Sequence, residues 1–139
     1  AYQMALYVLF ETGIQMMADN PVLYYQNPDC AQFMADVPVQ TDETVSMAAK
    51  LGEYVIVAKR KGNKWYIGGM TNSAERQRVF ELPLDFLPEG KTYKMTSYED
   101  GVNANRQAMQ YIKNVKNVKK GAVIKIRMAR NGGFAAVLE

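Results

Sequence analysis

From Glu53 onward the chain is cut into short segments of alternating apolar and polar residues, each closed by a turn signal. Glu53 to Lys61 sets Tyr54, Ile56 and Ala58 against Val55, Val57 and Lys59, and Gly62-Asn63 stands where a two-residue hairpin turn belongs. Trp65 to Thr71 returns and Arg76 to Leu84 follows. Pro88-Glu89-Gly90 turns the chain into Thr92 to Tyr98, and Asp100-Gly101 turns it again. Tyr111 to Val118 leads to Lys119-Lys120-Gly121. In Ala122 to Met128, residues Ile124, Ile126 and Met128 face one way while Lys125 and Arg127 face the other. Asn131-Gly132-Gly133 then turns the chain into Phe134 to Leu138. Seven or eight short strands at this spacing predict a mainly β chain built as an antiparallel β-sandwich or barrel.

The stretch before Pro38 follows another rule. Residues 1–12 are apolar almost all round a helical wheel, the pattern of a helix that needs partners on every side. Gly13 interrupts it, and Ile14 to Ala18 reads as a short buried strand. Asp19-Asn20-Pro21 opens a helix, Asn27-Pro28 repeats the signal, and Cys30, Phe33, Met34 and Val37 recur at helical spacing. A helix–strand–helix piece of this kind resembles the end of a larger α/β domain. The expected division is residues 1–38 and residues 39–139, of which only the second is long enough for a core of its own. Charge divides near the same place. The first 49 residues hold six acids and no Lys or Arg, and the rest hold all 17 bases and eight acids.

Composition removes several chemistries. No histidine is present, which excludes Ser-His-Asp and Cys-His catalysis and histidine metal ligands. The single Cys30 allows no internal disulfide and no multi-cysteine metal site. The longest unbroken apolar run, Met4 to Phe10, is far short of a membrane helix, so no membrane span is expected. No basic region precedes an apolar core, so no signal peptide is read. The chain opens without Met inside an apolar helical pattern, as a segment cut from a longer chain would.

Four residues are candidates for chemistry. Glu11 is the one charge in the first helical segment, where a lone buried carboxylate acts in acid/base catalysis or serves the helix end. Asp19 follows the short apolar run. At the carboxyl end of a barrel strand it would lie in an active site, and otherwise it opens the next helix. Trp65 and Tyr66 are neighbours on a strand, and an exposed ring of the pair would make a sugar-stacking platform, as in a carbohydrate-binding module. Neighbours on a strand face opposite ways, so at most one of the two enters the sandwich core. Gly68-Gly69 marks a bulge or a close backbone approach. The lysines and arginines between Lys113 and Arg130 describe either a basic interaction domain or solvated faces and protected edges. With only Tyr111 interleaved, no nucleic-acid partner is expected. The Lys-Asn-Val of residues 113–115 recurs at 116–118.

Several segments match one pattern in order and spacing. They are Ala5-Leu6-Tyr7-Val8-Leu9-Phe10-Glu11 with Gln15 to Pro21; Pro28-Asp29-Cys30 with Phe33 and Val37-Pro38; Asp42-Glu43-Thr44, Gly52-Glu53-Tyr54 and Ala58 to Gly62 with Trp65-Tyr66-Ile67-Gly68; and Asp100 to Ala104 with Arg106, then Gly132-Gly133-Phe134. This resembles the C-terminal end of glycoside hydrolase family 97. The resemblance implies a parent with an N-terminal sandwich, a central (β/α)8 barrel and a C-terminal sandwich. Such a parent cleaves α-glucosidic or α-galactosidic bonds in oligosaccharides. Residues 1–38 would be the C-terminal remnant of the barrel, with residues 14–19 as its eighth strand, and residues 39–139 the accessory sandwich. That sandwich would pack on the missing barrel of the same polypeptide and could take part in a homo-oligomer. The resemblance also implies a periplasmic or exported parent. The family's catalytic carboxylates, and the calcium some members use, belong to barrel positions outside this sequence. The expectation is therefore a chain that is non-catalytic alone, with no metal or cofactor of its own.

Overall fold

The structure, a computed structural model, describes residues 1–139. Three short helices come first: α1 (Tyr2–Leu9), α2 (Pro21–Gln26) and α3 (Pro28–Asp36). Eight strands follow: β1 (Glu43–Lys50), β2 (Tyr54–Lys61), β3 (Lys64–Thr71), β4 (Gln77–Pro83), β5 (Thr92–Asp100), β6 (Tyr111–Lys119), β7 (Val123–Ala129) and β8 (Gly133–Leu138). All pair antiparallel, six in a sheet of order β1-β2-β3-β8-β5-β6 and two in a sheet β4-β7. The expected antiparallel sandwich is present.

The alternation in the sequence becomes the core. Ile56, Ala58, Trp65, Ile67, Tyr93, Met95, Phe134, Ala136 and Leu138 line the inner face of the large sheet. Ile124, Ile126 and Met128 of β7 meet them, with Leu82, Leu84 and Leu87 closing the layer. Fully burying a side chain of this size is worth about 1.5–3 kcal/mol, so this cluster dominates the stability of the sandwich.

The outer face of the large sheet is covered as well. Met4 and Val8 of α1, with Phe33 of α3 and Val37 just beyond it, pack on Tyr66, Tyr98 and Ala135. Strands β3 and β8 are thus buried on both faces, and the molecule has three layers: helices, six strands, two strands. Helix α1 comes very close to the sheet. A Cβ added at Gly68 would lie 2.7 Å from Val8 Cβ, and one at Gly133 would lie 2.7 Å from Tyr2 Cα. The paired register of β2 and β3 runs through Gly68-Gly69 without a shift, so of the two readings of that pair the structure supports close approach over a bulge.

Two expectations for the N-terminal stretch are corrected. No strand forms over Ile14 to Ala18. The chain there is irregular, and Ile14 and Met16 are exposed. A strand needs a neighbouring strand for its backbone groups, and none lies beside this one. The segment is instead folded back on α1, where Tyr7 Oη donates to the Met16 carbonyl at 2.8 Å and Gln15 Nε2 to the Tyr7 carbonyl at 3.1 Å. The first helix also ends at Leu9 and buries one face, through Met4, Ala5 and Val8.

Candidate functional site

Trp65 lies on the inner face of β3, 2 % exposed, with its ring tilted against Phe86 at 4.6 Å between centroids. Tyr66 lies on the opposite face, 5 % exposed, and its hydroxyl donates to the Asp36 carbonyl at 3.1 Å. Phe33 stands edge-on to both Tyr66 and Tyr98, at 6.4 and 5.4 Å. Burial under α1 and α3 raises the Tyr66 hydroxyl above its ordinary pKa. Neither ring has the open face on which a sugar ring could stack. The alternation rule put at most one of the pair inside the sandwich, and it does. The helical layer encloses the other.

Glu11 lies on the surface, with its side chain 63 % exposed, so the buried lone carboxylate anticipated from the sequence is not what forms. Its Oε1 meets Lys59 Nζ at 3.1 Å and accepts from Thr41 Oγ1 at 3.5 Å. Lys59 is the buried partner. Its ammonium also donates to the Leu9 carbonyl at 3.3 Å, at the C-terminal end of α1, where a helix favours positive charge. The space beside this pair is a cavity of about 10 Å³, bounded by Tyr7, Phe10, Val37, Pro38 and Tyr66 among others, with Glu11 as its one carboxylate. That is room for about one water molecule and not for a sugar. Glycoside hydrolysis needs two carboxylates facing each other across a bond, and no second one is present here. The arrangement is a joint that ties the end of α1 to β2.

Asp19 is exposed, and its Oδ1 accepts the Asn20 N–H at 3.0 Å. The helix itself is capped by Asn20, whose Oδ1 accepts the Leu23 N–H at 3.2 Å. Asp19 thus lies one residue ahead of the cap. It has no carboxylate among its hydrogen-bond partners, and Tyr24 Oη bonds its backbone N–H at 2.6 Å. No group of three or more His, Cys, Asp or Glu side chains lies together in a way that could hold a metal ion. The calcium that the resemblance implies for the parent barrel therefore finds no ligand set among these residues. No helix is long and apolar enough to cross a membrane.

Asp100, expected from the sequence to mark a turn, does more: it ends β5, is 3 % exposed, and its Oδ2 accepts the N–H groups of Ala129 and Gly133, each at 2.9 Å. One carboxylate thus anchors both ends of the β7–β8 turn. Gly132 leaves it room, since a Cβ there would fall on Asp100 Oδ2. The available signal was Asp100 read together with Gly132-Gly133, a pairing visible only once β8 is laid beside β5.

Exposed apolar side chains occur singly along the strands and turns, as at Leu51, Val102, Met109 and Val123, and five more, Phe10, Ile14, Met16, Val22 and Tyr25, fall at the N-terminal end. Beside it, Lys113 pairs with Asp29 at 2.9 Å, and Tyr111 is pushed up to about 12 by its hydrogen bond with Cys30 and by burial.

The comparisons with known proteins agree with one another. Residues 40–139 match the profile of the glycosyl-hydrolase 97 C-terminal domain, described as an oligomerisation domain. The chain is 39 % identical over 133 residues to a retaining alpha-galactosidase of Bacteroides thetaiotaomicron, covering 96 % of this chain and 20 % of that protein. It is 30 % identical over 137 residues to a probable retaining alpha-galactosidase of Streptomyces bingchenggensis, again 20 % of that protein's length. A Glycoside Hydrolase Family 97 enzyme from Pseudoalteromonas sp. strain K8, solved in complex with acarbose, superposes on the whole chain with a TM-score of 0.94 at 31 % identity, through 22 % of its own length.

Proposed function

The chain belongs to glycoside hydrolase family 97, with residues 40–139 as its C-terminal oligomerisation domain, and from that we propose how it serves a larger enzyme. It spans about a fifth of the relatives it matches. In our reading it is the accessory end of an α-galactosidase or α-glucosidase, and the reacting carboxylates lie in residues outside these 139. Residues 1–38 are the end of that enzyme's catalytic barrel. They pack on the sandwich through α1 and α3 and turn the apolar residues Phe10 to Tyr25 toward the rest of the barrel.

The observation that carries this reading is the two-sided burial of β3 and β8. The sandwich presents small residues, Gly68, Gly133 and Ala135, on the face where α1 lies, and a surface shaped to admit a helix backbone this closely serves to hold that helix. The exposed apolar stretch beyond it has the character of a covered surface and not of a solvated one. The galactosidase relatives favour α-galactosides as the substrates of the parent. The family resemblance supports a periplasmic or exported parent, which fractionation of producing cells would check.

Amide hydrogen exchange tests the joint. Residues 10–20 should exchange quickly in the 139-residue chain and become protected in a protein that carries the preceding barrel, while β3 and β8 stay slow in both. Equal, fast exchange of residues 10–20 in both proteins would refute the assignment of this stretch to the barrel.

A further inference from the structure

The oligomerisation reading does not say which surface meets the second copy, and one strand edge answers that. The large sheet has two free edges, β1 and β6. Strand β1 carries a register shift between Ser46 and Ala48, which bends an edge away from further pairing. Strand β6 is nine residues long, has no proline, and keeps register with β5 from Thr92↔Lys119 to Asp100↔Tyr111.

The groups that β6 leaves open follow from its neighbour. Lys94 of β5 exchanges both backbone hydrogen bonds with Glu139 on the β8 side, and the Gly101 N–H turns the other way, to the Gln110 carbonyl. Hydrogen bonding alternates along an antiparallel strand, so the even-numbered residues of β5 bond toward β8 and the odd-numbered toward β6. By the observed register, β6 then uses Ile112, Asn114, Lys116 and Val118 to hold β5. The N–H and C=O groups of Tyr111, Lys113, Val115 and Asn117 and the N–H of Lys119 point to the open edge, while the Lys119 carbonyl accepts the Ala122 N–H in the turn to β7.

The repeated Lys-Asn-Val gives this edge a symmetric character. When two β6 strands pair antiparallel about a two-fold axis at Val115, Val115 faces its own copy, Lys113 faces Asn117, Tyr111 faces Lys119, Ile112 faces Val118 and Asn114 faces Lys116. Every residue of the strand is paired, the outward residues form the hydrogen-bonded pairs, and no lysine stands directly opposite another. An axis at Lys113 sets that lysine against itself, and an axis at Lys116 sets Lys113 against Lys119. Axes at Asn114 or Asn117 leave part of the strand unpaired. Like charges directly opposite are destabilising, so the lysines select the register at Val115. We propose that two copies of this chain associate β6 to β6 about a two-fold axis at Val115, joining their large sheets into one. The lysines remain diagonal neighbours across the axis, so the contact strengthens as salt screens them.

This proposal rests on the oligomerisation reading, and sedimentation velocity over a range of concentration and salt separates the two. The 139-residue chain should form a dimer that tightens with salt. Val115→Pro removes an outward N–H that the β5 ladder does not use, and its ring also holds the local backbone angle. Asn117→Lys sets a lysine opposite Lys113 on both sides of the axis and leaves every N–H in place, so it serves if the proline disturbs the fold. Each folded variant, verified by its thermal melt, should dimerise about tenfold or more weakly. A wild-type dimer that both variants preserve would overturn the β6 contact and leave oligomerisation through another surface. A wild-type chain that stays monomeric at every concentration and salt would overturn both.

Discussion

Asp100 is the residue on which the far end of the sandwich depends. Its carboxylate accepts two buried backbone N–H groups that have no water to turn to, and such groups cost about 1–3 kcal/mol each when left unpaired. Asp100→Ala should therefore lower stability by about 2–4 kcal/mol in urea unfolding, and Asp100→Asn, which keeps an acceptor, by clearly less. Equal stability of the two variants would contradict this role. Gly68→Ala tests the joint on the other side of the sheet. The added methyl must displace Val8 or the backbone of α1, at a cost of about 1–3 kcal/mol in the same measurement. These roles were legible in the sequence to different degrees. The close approach at Gly68 follows from a glycine pair inside a strand. The burial of Lys59 does not, because alternation placed it on a face that reads as solvated until α1 is laid across it. Glu11 looked buried for the same reason in reverse: its apolar neighbours were visible, and the solvent beyond the end of α1 was not.

Strands were the most legible elements. Seven of the eight were read at nearly their observed positions, because alternation and turn residues agreed. Strand β1 was missed. Its register shift breaks the period of two near Met47, and Ala48-Ala49 adds little strand preference. The opposite error fell on Ile14 to Ala18, where an apolar run met the pattern of a buried strand without a neighbour to pair with. Ahead of β1, the backbone N–H of Gly62 donates to Asp42 Oδ2 at 2.8 Å, and Lys61 and Arg60 stand beside the same carboxylate. The Gly62 hydrogen bond, reinforced by those cations, holds the Asp42 carboxyl below its usual pKa, and the hydrogen bond from Lys50 does the same for Glu53. A carboxyl whose pKa is lower in the folded state stabilises that state above the unfolded pKa and stops doing so as pH falls through the folded one. The melting temperature should thus be flat through neutral pH and decline below about pH 4, where the unfolded carboxyls begin to bind protons. Asp42→Asn should flatten part of that decline. An unchanged acid limb in the variant would show that β1 does not depend on this contact.

At the scale of the whole molecule, the sandwich of β1 to β8 and the helical layer before it meet across one sheet. The sandwich was readable from sequence as a unit with its own core, whereas the second core on its outer face required knowing where the helices dock. Removing residues 1–37 should leave a chain that still melts cooperatively, with a melting temperature lower by about 10 °C, the shift that about 2 kcal/mol makes in a domain of this size. Loss of a cooperative melt would mean that the helices belong to a single indivisible core. The charge division fits the same layering. The acidic, apolar N-terminal piece forms the joint, and most of the bases lie on the exposed faces and edges of the strands. On the function proposed above, these 139 residues hold and assemble an α-glycosidase without carrying its chemistry. Turnover of a chromogenic α-galactoside or α-glucoside by the pure, folded chain tests it most directly. The predicted rate is that of buffer alone, and saturable hydrolysis that follows the protein through purification and is abolished by Glu11→Gln or Asp19→Asn would contradict it.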